Sequence, residues 1–151
     1  MKDILTNKKA RHDYHILETF EAGIVLKGTE VKALRAGKGQ IRDAFARIEN
    51  DEAFLYNAHI DEYHQATFFN HVPRAKRKLL LNKREIRKLY GLESISGHTI
   101  VPLSCYWKNG RVKILLGVAK GKEQRDKRHD LKAKEADREA RRSVMRLEKG
   151  K

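Results

Sequence analysis

The chain has 151 residues, of which 36% are charged, and Lys and Arg outnumber Asp and Glu by 34 to 20, for a net charge of +14 and a pI near 10. Such an excess repels itself in a compact state, so it points to an anionic partner, nucleic acid first and a membrane surface second. No apolar run approaches the roughly 20 residues of a spanning helix, and the first residues hold no apolar core of the kind a signal peptide needs. A cytoplasmic chain is therefore expected, and the single cysteine, Cys105, which excludes an internal disulfide framework, fits a reducing compartment.

Asn7-Lys8-Lys9-Ala10-Arg11 reads as a basic lead-in. Tyr14, Ile16, Phe20 and Ile24 follow among polar residues and predict one or two short strands, with Gly23 as a bend or bulge. Thr29 followed by Glu30 resembles a helix N-cap with an acid in the first turn, and Val31, Leu34 and a terminating Gly37 predict a helix of about two turns. Ala44 to Glu49 and Ala53 to Tyr56 flank Asn50-Asp51, which predicts a hairpin. The chain from Asp61 to His71 is polar and aromatic and reads as a loop. Pro73 to Lys78 reads as a basic connector, mobile unless an anion orders it.

The clearest helix signature runs from Leu79 to Gly91. Asn82 and Glu85 match a capping box, Gly91 suits the stop, and Ile86, Leu89 and Tyr90 form the expected buried stripe. Thr99 to Trp107 and Val112 to Val118 flank Asn109-Gly110, a hairpin turn whose two residues both need positive φ, and Pro102 places its strand at an edge or a bulge. Beyond Gly121 the chain holds neither Gly nor Pro until Gly150, and its one helical stripe (Ala133, Ala136, Ala140, Val144, Leu147) is mostly alanine. So small a stripe does not hold a helix against a core.

Short strands, tight turns, few helices and no alternation of strands with crossover helices predict a mainly β fold with short α elements. The expected architecture is an oligonucleotide-binding (OB)-like antiparallel barrel over residues 1–121, with peripheral helices. A basic tail over 122–151, disordered alone and helical when bound, completes the expected organisation. Residues 120–151 carry 13 basic and 7 acidic residues, net +6, and residues 1–119 carry +8, so both parts offer an anion a surface.

None of the seven histidines stands in a metal-ligand motif, and Cys105 sits in a β-like run without a nearby base, so no catalytic residue, metal or cofactor is expected. Basic runs at Lys8 to Arg11, Pro73 to Lys78 and Arg125 to Arg128 are the positive signal. Together with Tyr14, Tyr63, Phe68, Phe69, Tyr106 and Trp107, which can stack on bases, they point to RNA.

Four stretches carry a resemblance. Asn7-Lys8-Lys9-Ala10-Arg11-His12-Asp13-Tyr14, Gly28-Thr29-Glu30-Val31-Lys32-Ala33-Leu34-Arg35, Arg77-Lys78-Leu79-Leu80-Leu81-Asn82 and Gly117-Val118-Ala119-Lys120-Gly121-Lys122 with Asp126-Lys127-Arg128 resemble the successive motifs of the small protein B (SmpB) family. These are the proteins of bacterial trans-translation that bind transfer-messenger RNA (tmRNA, also called SsrA). The resemblance spans essentially the whole chain. It implies a barrel that binds the tRNA-like part of tmRNA and no reaction of its own. It further implies delivery, with elongation factor Tu and after charging by alanyl-tRNA synthetase, to a stalled ribosome. The tail is then expected at the small-subunit decoding centre and in the vacant mRNA channel.

By motif position the resemblance implies Glu30, Leu80 and Asn82 as tmRNA contacts, with Lys8, Lys9, Arg11, Arg35, Arg77 and Lys78 beside them. Rival readings stand next to the first three: Glu30 as a helix-dipole acid, Leu80 as core and Asn82 as a plain cap. Arg125, Asp126, Lys127, Arg128, Lys132 and Lys134 form the implied ribosome-facing set. Arg125 departs from the family pattern, where an aromatic residue or His is common.

Overall fold

The computed structural model describes residues 3–65 and 70–122. The chain divides into two units, Met1–Gly121 and Lys122–Lys151; the basic tail beyond Lys122, with its six implied ribosome-facing residues, lies outside the described residues, as do Phe68 and Phe69.

The elements run β1 (Asp3–Thr6), α1 (Lys8–Asp13), β2 (Tyr14–Ile24), α2 (Gly28–Arg35), β3 (Gly39–Gln40), β4 (Phe45–Glu49), β5 (Glu52–Tyr56), β6 (His59–Ile60), β7 (Arg77–Leu80), α3 (Lys83–Glu93), β8 (His98–Lys108) and β9 (Arg111–Gly121). Seven strands form one antiparallel sheet in the order β1-β8-β4-β5-β7-β2-β9, and β8 also pairs with β9, which closes the sheet on itself as an OB-like fold does. Closure leaves β1 as a short flap on β8, and β3 and β6 form a small separate ladder.

Two hairpins set the register. Asn50 and Asp51 have φ of 49° and 61°, and Asn109 and Gly110 have 51° and 75°, so both turns twist in the sense of their strands. Alternation then places Ala22, Leu55, Leu79, Ile100, Ile114, Leu116 and Val118 inside. Each buried leucine or isoleucine contributes roughly 1.5–3 kcal/mol of transfer free energy, and Leu89 of α3 and Leu34 of α2 complete this core. Pro102 lies at the β8 bulge, where its missing N–H costs no ladder bond.

Several local expectations shift. The basic lead-in is a helix, α1, because Asn7 caps it by accepting from Ala10 N at 3.1 Å. Gly23 is no bulge: β2 is one 11-residue strand through Gly23, and its register shift falls between Ile16 and Glu18. The N-cap of α2 is Lys27 rather than Thr29. Glu30 occupies the third position and accepts from Lys27 N at 2.8 Å, which frees the Thr29 hydroxyl to meet His71. Gly37, with φ of 72°, ends that helix as expected.

Asn82 and Glu85 form the expected capping box, but α3 runs through Gly91 to Glu93. Leu92 packs on the core and the Glu93 carboxylate accepts from Ile48 N at 3.1 Å, so tertiary contacts hold the last turn. Tyr90, expected inside, is 62% exposed. The connector from Pro73 to Lys78 ends in β7, and Arg77 in that strand is buried.

Candidate nucleic-acid interface

Consecutive residues of a strand point to opposite faces, and this decides what β7 offers. Leu79 is buried at 1% exposure while Leu80 stands 52% exposed. Leu80 pairs with Gly23, Gly23 with Lys113, Lys113 with Tyr106, and Tyr106 with Asp3. These residues share the face opposite Leu79 in one row across β7, β2, β9, β8 and β1, about 20 Å long at the usual strand spacing, with Leu80 and Asp3 exposed at its ends, Lys113 half-buried and Tyr106 covered at 8% exposure. Gly23 makes a dip in the row, because a methyl group there would stand 3.2 Å from Leu80 Cβ.

Beside the dip lies a cleft of about 240 Å³ lined by Leu26, Val31, Leu80, Trp107, Arg111 and Lys113 with Gly23. Its walls are apolar and its rim is cationic. The Arg35 guanidinium stands 5.7 Å from the Trp107 ring centroid, which leaves a cation next to an aromatic plane. Such a combination takes a base or ribose on the apolar side and a phosphate on the rim.

At the other end of the row, α1 stands over a groove of about 540 Å³ lined by Thr6, Lys8, Arg11, Ser104, Tyr106 and Leu115, among others. Asn7, 3% exposed, staples this ledge: its Nδ2 donates to Ile41 O at 3.1 Å and to Pro102 O at 2.8 Å while its Oδ1 caps the helix. Lys8, Lys9 and Arg11 are exposed, with Lys9 3.4 Å from Asp43. Between the two basins, Tyr106 donates to Glu21 Oε2 at 2.5 Å and Lys108 Nζ lies 3.0 Å from Glu21 Oε1. The Tyr106 bond first, then Lys108, holds the Glu21 carboxyl below the usual carboxylate value. Burial first, then the bond to Glu21, pushes the Tyr106 phenol up.

The implied contact residues separate into two kinds. Leu80 and Arg35 border the cleft, Lys8 and Arg11 border the groove, and Lys9 and Lys78 are exposed, Lys78 with its Nζ 3.8 Å from Glu52. Asn82 is exposed and caps α3, accepting from Glu85 N at 2.9 Å, so its capping role is real. Glu30 and Arg77 differ: each is 3% exposed, and the Arg77 Nε donates to Glu30 Oε2 in the interior. The expectation that they touch RNA directly meets two side chains that face each other instead of solvent.

Arg111 and Lys113 are the rim residues that sequence reasoning passed over. A signal was present: they stand one and three residues past Gly110, so the period of two puts them on one face of the hairpin. Cys105 is 1% exposed and burial pushes its thiol up to about 12, which fits a small core residue. Among the described residues no group of three or more His, Cys, Asp or Glu is placed to hold a metal, and no helix is long and apolar enough to cross a membrane.

Known proteins resemble this chain in sequence and fold. The family model described as SmpB protein matches residues 4–146. The SsrA-binding protein of Shouchella clausii (strain KSM-K16) is 56% identical over 149 residues, covering 99% of this chain and 96% of the relative. The SsrA-binding protein of Enterococcus faecalis (strain ATCC 700802 / V583) is 55% identical over 143 residues, covering 95% and 93%. A solved chain described under "tmRNA-SmpB: a journey to the center of the bacterial ribosome" superposes with a TM-score of 0.68 at 49% identity, over 83% of this chain and 92% of that one. The chain therefore belongs to the SmpB family.

Proposed function

We propose that this chain binds transfer-messenger RNA and delivers it to stalled ribosomes for trans-translation. The observation that carries the reading is the row from Leu80 to Asp3, with an aromatic, cation-rimmed cleft at one end and a basic groove at the other. Relatives named SsrA-binding proteins and a solved chain from a tmRNA-SmpB study of the ribosome support it. Leu80 and Trp107 supply apolar contact to a base or ribose. Arg35, Lys78, Arg111 and Lys113 meet phosphates near the cleft, and Lys8, Lys9 and Arg11 meet them near the groove. Asn82, while capping α3, offers its exposed side-chain amide to the RNA.

In this reading the protein is a cytoplasmic binding factor without catalysis of its own. Alanyl-tRNA synthetase and elongation factor Tu act on the RNA it holds. The basic tail, residues 122–151, serves the ribosome. Arg125, Asp126, Lys127 and Arg128 face the decoding centre, and Lys132 and Lys134 pair with phosphates along the mRNA channel.

Sequencing the RNA that co-purifies with the full chain from cells tests the assignment. One dominant tRNA-like species is expected; ribosomal RNA in its place would mean a ribosomal scaffold. Ending the chain after Lys122 then tests the division of labour. tmRNA affinity is expected to stay within about tenfold, or ~1.4 kcal/mol, while tagging on stalled ribosomes is lost.

A further inference from the structure

The Glu30–Arg77 pair has a position that neither a contact role nor a generic core role explains. Arg77 donates through Nε to Glu30, through Nη1 to Ala58 O at 2.6 Å, and through Nη2 to Pro73 O at 2.9 Å and Val72 O at 3.3 Å. Glu30 uses its other oxygen to cap α2 at Lys27 N. A second link runs parallel. His71, 2% exposed, donates from Nε2 to Ile60 O at 2.9 Å, since a carbonyl only accepts, and its Nδ1 then accepts from the Thr29 hydroxyl at 2.8 Å. The first turn of α2 is thus tied at two points to both flanks of the segment between Ile60 and Arg77.

The two residues joined by the ion pair also carry two walls of the cleft. Val31 on the α2 wall follows Glu30 directly, and Leu80 on the β7 wall lies three residues after Arg77. The same helix carries Arg35 to its place over Trp107. We propose that Arg77, acting through Glu30, is a positioning residue for RNA binding: it sets the separation of α2 from β7 and so the shape of the Leu80–Trp107 cleft, without touching RNA. This rests on the reading of the cleft as the RNA surface. A lysine cannot replace it, because a single ammonium does not reproduce the planar fork that reaches one carboxylate and three carbonyls at once.

The test uses the full chain, a transcript of the tRNA-like part of tmRNA, and the single tryptophan, Trp107, as a reporter inside the cleft. Arg77→Lys is studied well below its unfolding midpoint, with circular dichroism to show that it is folded. Its Kd is expected to rise at least tenfold and the Trp107 emission to shift. The slope of log K against log salt should match the unaltered protein, because no phosphate contact is removed. Arg111→Ala is the comparison, in which the slope falls by about one. A slope that falls by about one in Arg77→Lys makes Arg77 a phosphate contact and overturns the proposal. A lowered midpoint with unchanged Kd and unchanged emission makes the pair merely structural and also overturns it.

Should Arg77→Lys fail to fold, Glu30→Gln, which keeps the shape and removes one charge of the pair, is held to the same three readouts. The unaltered protein and Leu80→Ala separate the two levels of the argument. If the unaltered protein does not prefer the transcript over an ordinary tRNA, or if Leu80→Ala binds the transcript as tightly as the unaltered protein, the RNA reading of the cleft fails, whatever the pair does to Trp107.

Discussion

The α1 ledge and the hairpin cleft are both basic, both lie on the row from Leu80 to Asp3, and both are held from beneath by a buried polar group, yet the groups differ in kind. Asn7 is neutral and uses short side-chain bonds to two carbonyls and one amide. Glu30 and Arg77 are ionic and gather backbone from three segments, at Lys27, at Ala58 and at Val72–Pro73. A neutral staple leaves a modest penalty when cut. An ion pair leaves an uncompensated charge in the interior, and that is costly. The cleft is therefore the more rigidly specified of the two surfaces and the less tolerant of change beneath it.

Removing one partner of the ion pair gives the largest expected effect. Arg77→Ala should lower unfolding stability by about 3–5 kcal/mol, measured by urea denaturation. Asn7→Ala should cost about 1–3 kcal/mol and weaken protection of the α1 amides from hydrogen exchange, while those of α2 are unaffected. A loss as large as that of Arg77→Ala would erase the contrast between the ledge and the cleft. Asn82→Ala, an exposed cap, should cost only about 1 kcal/mol. If it also weakens tmRNA binding in a folded protein, the amide has a role beyond the cap.

Leu80→Ala reverses the pattern: stability within about 0.5 kcal/mol of the unaltered protein, and a clear loss of RNA affinity by gel shift. Acid pH gives the smallest expected effect. Tyr106 and Lys108 lower the folded pKa of Glu21, and Tyr56 and Lys76 lower that of Glu49, both from an ordinary 4.5. Their stabilisation is present above that value and is lost as pH falls through the lowered ones. Glu21→Gln should flatten this part of the pH–stability curve; an unchanged curve would mean that the Tyr106 bond contributes nothing.

Much of the frame was legible in the residues. Asn109-Gly110 and Asn50-Asp51 demanded turns because few other residues accept positive φ at both positions, and Asn82 with Glu85 announced a helix start. Their chemistry is local, so distant contacts do not alter it. Tyr90 and Gly91 misled for the opposite reason. Helical periodicity identifies an apolar stripe without saying how wide the facing core is, and here the core ends at Leu89 and Leu92, while the contacts of Leu92 and Glu93 carry the helix past Gly91.

Leu80, Glu30 and Arg77 mark the boundary between the two kinds of information. The sequence by itself determined that these residues sit in basic motifs beside strand and helix signals, and that the chain seeks an anion. It did not reveal that the leucine faces solvent while the glutamate and the arginine face each other. That inversion depends on the phase of β7 against β2 and β5 and on carbonyls of Ala58, Val72 and Pro73 that only the folded chain brings within reach of one guanidinium. Charge on a chain predicts what it will meet; tertiary structure decides which charges are left to meet it and which shape the surface from within.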